Sequence, residues 1–439
     1  MIRNNNGRFS LKLLTKLNAL SPQVKQYLVI TGNYWAFTLT DGALRMLVVL
    51  YFHQLGYSPL NIAMLFLFYE VFGVITNLIG GWLGARLGLN KTMNIGLFIQ
   101  IIALAMLAVP SEYLTIVYVM LAQALSGIAK DLNKMSAKSA IKLLVPETAD
   151  NNGNSAESKL YQWVAILTGS KNTLKGIGFF LGGVLLSVFA FKGAILIMVT
   201  LLIVVWLLSL CLLKEDLGKA KHKPKFNDIF SKSAAINRLS AARLFLFGAR
   251  DVWFVVALPV YLGATFNWDH WWVSGFMALW VIGYGIVQSF APYITGKKLT
   301  GKKLTGKKLT GGKQGNVPTG KSAFLWAAML SFLPVAIALS LYFNFYIQAA
   351  IIIGLLLFGV VFAINSSLHS YLIVSYASKD GVSLDVGFYY MANAMGRLIG
   401  TVLSGLVYQQ YGLTACLCIS SLFVAIAAVI SYKLPDKVV

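Results

Sequence analysis

Twelve apolar runs, each long enough to cross a lipid bilayer, follow one another along this chain. A spanning helix needs about 20 predominantly apolar residues. Such runs lie near 27–52, 59–82, 92–110, 113–136, 160–189, 192–213, 241–264, 270–294, 322–343, 346–374, 385–409 and 411–432. The pattern predicts an all-α membrane protein with twelve transmembrane helices. Composition points the same way. Charged residues make up 12% of the chain and hydrophobic ones 58%, against roughly 25% charged in a soluble domain. A surface that apolar cannot be held in water, so lipid is the main solvent.

The net charge of +22 would suggest nucleic acid in a soluble protein. The placement of the charges gives it another meaning. Arg3, Arg8, Lys12, Lys16 and Lys25 precede the first run. Lys214, Lys219, Lys221, Lys223, Lys225, Lys232 and Arg238 follow the sixth, and eight lysines lie between Lys297 and Lys321 after the eighth. An even number of spans separates these segments, so all three fall on one side. On the other side Lys192 stands nearly alone. By the positive-inside rule both termini are cytoplasmic, and nucleic acid is not an expected partner. Met1 to Lys25 is basic and polar, with no short apolar region and cleavage site, so no removable signal peptide is expected.

The expected organisation is a cytoplasmic segment 1–26, a six-helix bundle 27–213, a basic linker 214–240, a second six-helix bundle 241–432 and a tail 433–439. Faint internal similarity supports two halves. Val48-Val49 and Leu55-Gly56 in the first span match Val255-Val256 and Leu262-Gly263 in the seventh. Glu70-Val71-Phe72-Gly73 in the second parallels Trp280-Val281-Ile282-Gly283 in the eighth. Such pseudo-symmetry marks duplicated transporters. Within the loop 295–321, Gly296 to Thr310 is three copies of Gly-Lys-Lys-Leu-Thr. A period of five fits neither a helix nor a strand face, and reads as a flexible loop lengthened by duplication.

Charges inside the spans carry the functional information. A charge at the bilayer centre costs roughly 2.5–3.5 kcal/mol on insertion scales, so such residues face the bundle interior and pair or bind something. The deeper cations are Arg45, Lys130, Lys134, Lys171, Lys175, Arg250 and Arg397. The deeper anions are Asp41, Glu70, Asp131 and Asp251. Seven against four leaves three cations without a partner, and a multiply charged anion is the natural occupant. Arg suits bidentate oxyanions and Lys supplies a point charge. Asn133 lies among the cations of the fourth span. Asp41 with Arg45, and Arg250 with Asp251, read either as internal ion pairs or as parts of the binding surface. Lys134 and Lys138 either face the cavity or snorkel to the interface. Lys171 and Lys175 repel each other on one helix face unless an anion lies between them. Arg397 sits in a helix of small residues suited to close packing.

Glu70 has no local partner in the sequence, which suits a proton-coupling carboxylate. Asp41, Asp131 and Asp251 are further candidates. Trp280, Tyr284 and Gln288 recur at helical spacing and read as packing or as cavity lining. Asn365, Ser366 and Ser367 read as helix packing or as donors to substrate hydroxyls. Cys416 and Cys418 are two apart on a helix and point to different faces, and Cys211 lies in the other half. That excludes a thiolate trap for a soft metal, and the scattered histidines have no metal-ligand spacing. Neither a metal nor a cofactor is implied. No nucleophile–base set points to an enzyme.

The loop after the second span reads Gly81-Trp82-Leu83-Gly84-Ala85-Arg86-Leu87-Gly88-Leu89-Asn90-Lys91. It resembles the signature loop of the major facilitator superfamily, with Gly81, Arg86, Gly88 and Lys91 in place. The usual aspartate is Ala85 here, so a gating ion pair through that position is in doubt. Within that superfamily, four stretches resemble the ArsJ organoarsenical efflux permeases: Asn33 to Leu50, Gln123 to Ser139, Thr168 to Gly176 and Phe247 to Pro259. That resemblance implies a monomeric carrier in a bacterial inner membrane, exporting 1-arseno-3-phosphoglycerate and conferring arsenate resistance. It also implies a functional link to glyceraldehyde-3-phosphate dehydrogenase, which makes the compound when arsenate replaces phosphate. The cationic interior alone fits an organophosphate or sugar-phosphate carrier equally well.

Overall fold

The computed structural model describes residues 21–57, 65–145, 156–213, 217–220, 233–268, 270–295 and 318–435. The Gly-Lys-Lys-Leu-Thr repeats, most of the basic linker, the first twenty residues, the last four and the start of the expected second span lie outside them. The described residues form α1 (Pro22–Gln54), α2 (Leu67–Leu87), α3 (Leu89–Met106), a 3-10 turn (Ser111–Tyr113), α4 (Ile116–Leu144), α5 (Ala156–Leu212), α6 (Ala234–Phe254), α7 (Ala257–Phe266), α8 (His270–Thr295), α9 (Gly320–Tyr342), α10 (Ile347–Tyr376) and α11 (Val382–Tyr432), with no strand among them.

Two of these helices are too long for a single crossing. At about 1.5 Å per residue, the 57 residues of α5 and the 51 of α11 would each run more than twice the roughly 30 Å of a hydrocarbon core. Each breaks at one residue of positive φ. Ala190 has φ 54° and ψ 178°, and Gly412 has φ 74° and ψ −174°. The breaks fall at the boundaries expected between spans five and six and between eleven and twelve. Nine helical segments among the described residues are long and apolar enough to cross a membrane, α6 and α7 counting together. Two of the nine fold back on themselves, giving eleven crossings. The twelfth is α4, whose Lys130, Asp131, Lys134, Lys138 and Lys142 keep it below the apolarity of the rest. The protein is an all-helical membrane bundle of twelve spans.

The seventh span departs from expectation. It begins at Ala234, inside the expected linker, and is interrupted between α6 and α7. Pro259 has no N–H to return to Val255, one turn earlier, so the ladder opens there. The freed N–H groups of Val256 and Ala257 donate to the Ser404 hydroxyl of α11, at 3.3 and 3.1 Å. α4 also runs on to Leu144, beyond the expected end at 136, which places Lys138 and Lys142 inside the helix.

Within the first half α1 packs on α5, α3 on α4 and α2 on α4; within the second, α6 packs on α11 and α9 on α10 and α11. The halves meet mainly through α5 with α8 and α2 with α11. One apolar cluster is built from buried residues from Leu246 onward. The other fills the first half and takes in the ends of α10 and α11 nearest the chain termini. That end of the bundle, where Pro22 and Tyr432 lie, is called the terminal end below.

Candidate functional site

The interior charges converge where α1, α2, α4, α5, α6 and α11 face one another. α1 brings Asp41 and Arg45, but not to each other. The Asp41 carboxylate accepts the Tyr69 hydroxyl at 2.7 Å and meets the Lys175 ammonium at 3.6 Å. Arg45 instead donates to Glu70 at 3.2 Å. The i, i+4 pairing suggested by spacing is thus replaced by two pairings between helices. Glu70 is not a lone carboxylate either. Its Oε1 also accepts from Arg397 of α11 at 3.4 Å, so it joins two guanidinium groups from opposite halves.

α6 supplies the adjacent pair. Asp251 is fully buried, and both its oxygens are used. Oδ1 meets Arg250 at 2.5 Å and Oδ2 accepts from Arg397 Nε at 3.1 Å. On α4, Asp131 accepts from Lys134 at 2.6 Å, one turn along. All four carboxylates are therefore held by cations of the interior. Among the described residues Lys130 and Lys171 have no carboxylate within ion-pair distance. The Lys130 ammonium lies 3.8 Å from the centre of the Tyr69 ring. Lys171 lies instead in the neighbourhood of other cations, Lys175 one turn along its own helix among them.

The surroundings are wet at mid-depth and dry toward the terminal end. The side chains of Arg45, Glu70 and Arg397 are about a third exposed, in the middle of a helical bundle. Below them Lys138, Arg243, Asn365 and His369 are buried. The halves touch below as well. The α-carbons of Gly81 and Gly387 pack so closely that a Cβ on Gly387 would stand 2.7 Å from the Asn77 carbonyl. Asn172 donates to Gln288 at 2.7 Å, Tyr161 and Thr295 share a hydrogen bond, and Lys142 reaches the Ser375 carbonyl at 2.7 Å. The cavity is closed at the terminal end and opens away from it.

The signature loop takes part in that closure. Gly81 and Gly84 lie against Ser383 of α11. Gly88 turns the chain at φ 97°, and Leu89 donates to the Leu217 carbonyl at 2.8 Å. Ala85, in the place of the usual aspartate, is buried, and its carbonyl accepts from the Ala220 N–H. Arg86 lies over Trp82 at 5.0 Å, and Lys91 is exposed.

Asn133 departs from expectation, and other residues take one of the roles their positions allowed. Asn133 does not reach the cavity, because it is buried against Gly96 of α3 and donates to Ala129 of its own helix. Trp280 and Tyr284 stack on each other and join the apolar core, with Trp280 donating to the Leu355 carbonyl. Ser366 accepts from Arg243 at 3.0 Å. Lys138 does not snorkel to the surface but is buried. Cys416 is buried while Cys418 is exposed, so they do point apart. Sequence reasoning missed Tyr69, which braces Asp41 and lies under Lys130. A tyrosine in an apolar run carries no signal of its own.

A twelve-span bundle of two halves around a water-accessible charged interior is the architecture of a membrane carrier. The profile of the Major Facilitator Superfamily matches residues 30–368, and the chain belongs to that superfamily of secondary transporters. No curated protein matches it by sequence. Among solved structures, the human organic anion transporter TETRAN superposes with TM-score 0.68 at 15% identity, covering 94% of this chain and all of its own. The Escherichia coli fucose:proton symporter gives 0.69 at 13%, over 95% and 100%. A bacterial homologue of the iron transporter ferroportin, in its outward-facing state, gives 0.68 at 13%, over 93% and 98%. At these identities the likeness is one of fold.

Proposed function

We propose that the protein exports an anionic organoarsenical, 1-arseno-3-phosphoglycerate, by proton-coupled alternating access. The terminal end faces the cytoplasm of a bacterium, and the carrier protects the cell from arsenate. The observation that carries the anionic cargo is Lys171, partly exposed in the bundle interior, one turn from Lys175 and with no carboxylate paired to it among the described residues. An interior cation placed so is stabilised by an anion that arrives and leaves. Arg45, Lys130, Lys134, Lys175, Arg250 and Arg397 complete the cationic lining. The arsenical identity of the cargo comes from the resemblance to ArsJ permeases. A fold neighbour that transports organic anions agrees with the charge class only.

The two halves rock about this interior. Glu70 competes with the cargo for Arg45 and Arg397, so a proton on Glu70 frees both guanidinium groups. Asp41, held by Lys175 and Tyr69, is the second proton-carrying candidate. Glyceraldehyde-3-phosphate dehydrogenase supplies the cargo when arsenate is present.

Everted membrane vesicles test the reading. They receive arsenate, glyceraldehyde-3-phosphate, NAD and the dehydrogenase, and arsenic trapped inside is measured. Accumulation that requires every component and the transporter is expected. No accumulation in vesicles holding folded protein sinks this cargo. Trapping of unmodified organophosphates instead makes the protein an organophosphate carrier.

A further inference from the structure

Three lysines step down one face of α4 toward the terminal end, at positions 130, 134 and 138. The first lies over an aromatic ring and the second is paired to Asp131. Lys138 has neither. It is 2% exposed, and its ammonium has no hydrogen-bond partner among the described residues. The charges it senses are Arg243 and Lys134, both cations.

Arg243, on α6, is buried in the same way. Its partners are all neutral: Asn393 Oδ1 at 2.9 Å, the Ser366 carbonyl at 3.3 Å and the Ser366 hydroxyl at 3.0 Å. Its guanidinium lies 3.8 Å from the centre of the Phe247 ring and 5.3 Å from that of Tyr389. His369 of α10 lies within reach of the Arg243 charge. It is fully buried, with both ring nitrogens unpartnered among the described residues, and so are both amide atoms of Asn365, one turn earlier, and the Tyr389 hydroxyl. Buried polar groups are nearly always hydrogen-bonded, and buried charges are paired. Here an ammonium, a guanidinium, an imidazole and an amide between them break both rules, on three helices drawn from both halves.

We propose that Lys138, Arg243, Asn365 and His369 form a second anion site, below the central cavity. It takes a phosphate-type oxyanion and is reached from the terminal end when the halves part there. This deepens the reading of the protein as an anion carrier and rests on it. Arg243 presents a planar donor pair to a tetrahedral oxyanion and Lys138 a point charge. His369 and Asn365 supply neutral donors. In the conformer closed at the terminal end the site is shut, Arg243 is held by Asn393 and Ser366, and Lys138, His369 and Asn365 have no partner among the described residues. A carrier loading from that side meets these groups before Lys171 and Arg397.

Binding of inorganic phosphate to the full-length protein in nanodiscs, followed by calorimetry, tests the site. Lys138→Met and Arg243→Gln should each weaken binding about tenfold or more, the scale of one lost charge-assisted hydrogen bond. Lys138→Arg should keep affinity within about threefold. Lys138→Met removes a buried unpaired charge, so its melting temperature should not fall, which separates lost binding from lost fold. Phosphate binding that ignores Lys138 and Arg243 overturns the site, as does wild-type protein that binds no phosphate at millimolar concentration. Failed arsenical transport with Lys138-dependent phosphate binding intact sinks the cargo and leaves this site standing.

Discussion

Glu70 and Arg397 lie 327 residues apart in sequence and meet at 3.4 Å, one on each half of the bundle. The same glutamate oxygen takes Arg45 at 3.2 Å. A carrier must break and remake contacts between its halves in each cycle, and this pair sits where the cargo would do the breaking. Protonation of Glu70 removes the competing negative charge, so an anion of fixed charge should bind more tightly as pH falls. Glu70→Gln should bind sulfate about tenfold more tightly at neutral pH, the low end for a charge-assisted hydrogen bond, because the glutamate side chain is 31% exposed. Its pH dependence of binding and transport should be flat. Unchanged pH dependence in the mutant would remove Glu70 from proton coupling.

Asp251 plays a different part. It is fully buried and holds Arg250 and Arg397 with one oxygen each. Asp251→Asn leaves two cations facing a buried neutral amide, Arg250 largely out of water and Arg397 about a third exposed. Removing one partner of a buried ion pair typically costs about 3–5 kcal/mol. The expected outcome is a clear drop in melting temperature in detergent, partly recovered by the double change Asp251→Asn with Arg250→Gln. A single mutant as stable as the wild type would mean that the Arg250 and Arg397 charges are compensated elsewhere.

The number of spans could be read from apolar run length, because lipid imposes it on any chain. The breaks at Ala190 and Gly412 fell where the apolar runs paused. Which charges would meet could not be read. Spacing on one helix suggested Asp41 with Arg45, yet each found a partner on another helix, because the rotation of neighbouring helices decides which side chains converge. Only the adjacent pair Arg250 and Asp251 was legible locally. The buried group around Arg243 left no trace either. Its members come from spans four, seven, ten and eleven and share no sequence pattern.

Ala190 carries a conformation that suits glycine. With φ 54° and ψ 178° it occupies a region where a Cβ costs roughly 1–3 kcal/mol. The gain from Ala190→Gly is offset by the greater unfolded-state freedom of glycine, about 0.5–1 kcal/mol. A net stabilisation of about 1 kcal/mol is expected, read as a small rise in melting temperature with transport unchanged. Destabilisation would show that the Ala190 methyl makes contacts worth more than its strain.

Closure of the terminal end depends on two backbones meeting at Gly81 and Gly387. A Cβ built on Gly387 would stand 2.7 Å from the Asn77 carbonyl and 3.0 Å from the Gly81 α-carbon, and both are backbone atoms that cannot swing aside. Gly387→Val therefore acts as a wedge between α2 and α11. Overpacking of this kind costs about 1–3 kcal/mol, and here the cost falls on the conformer closed at the terminal end while the opposite conformer is spared. The population should shift toward the latter by about five- to a hundredfold, since 1.4 kcal/mol is tenfold. A cysteine placed at Ser370, which is buried in this conformer, reports the shift. Its alkylation by a membrane-impermeant maleimide, added from the terminal side, should speed up in the Gly387→Val background, while transport slows because closure has become the difficult step. Equal labelling in both backgrounds, with protein of normal abundance, would mean that the halves separate along a different line and that the Gly81–Gly387 contact is no gate.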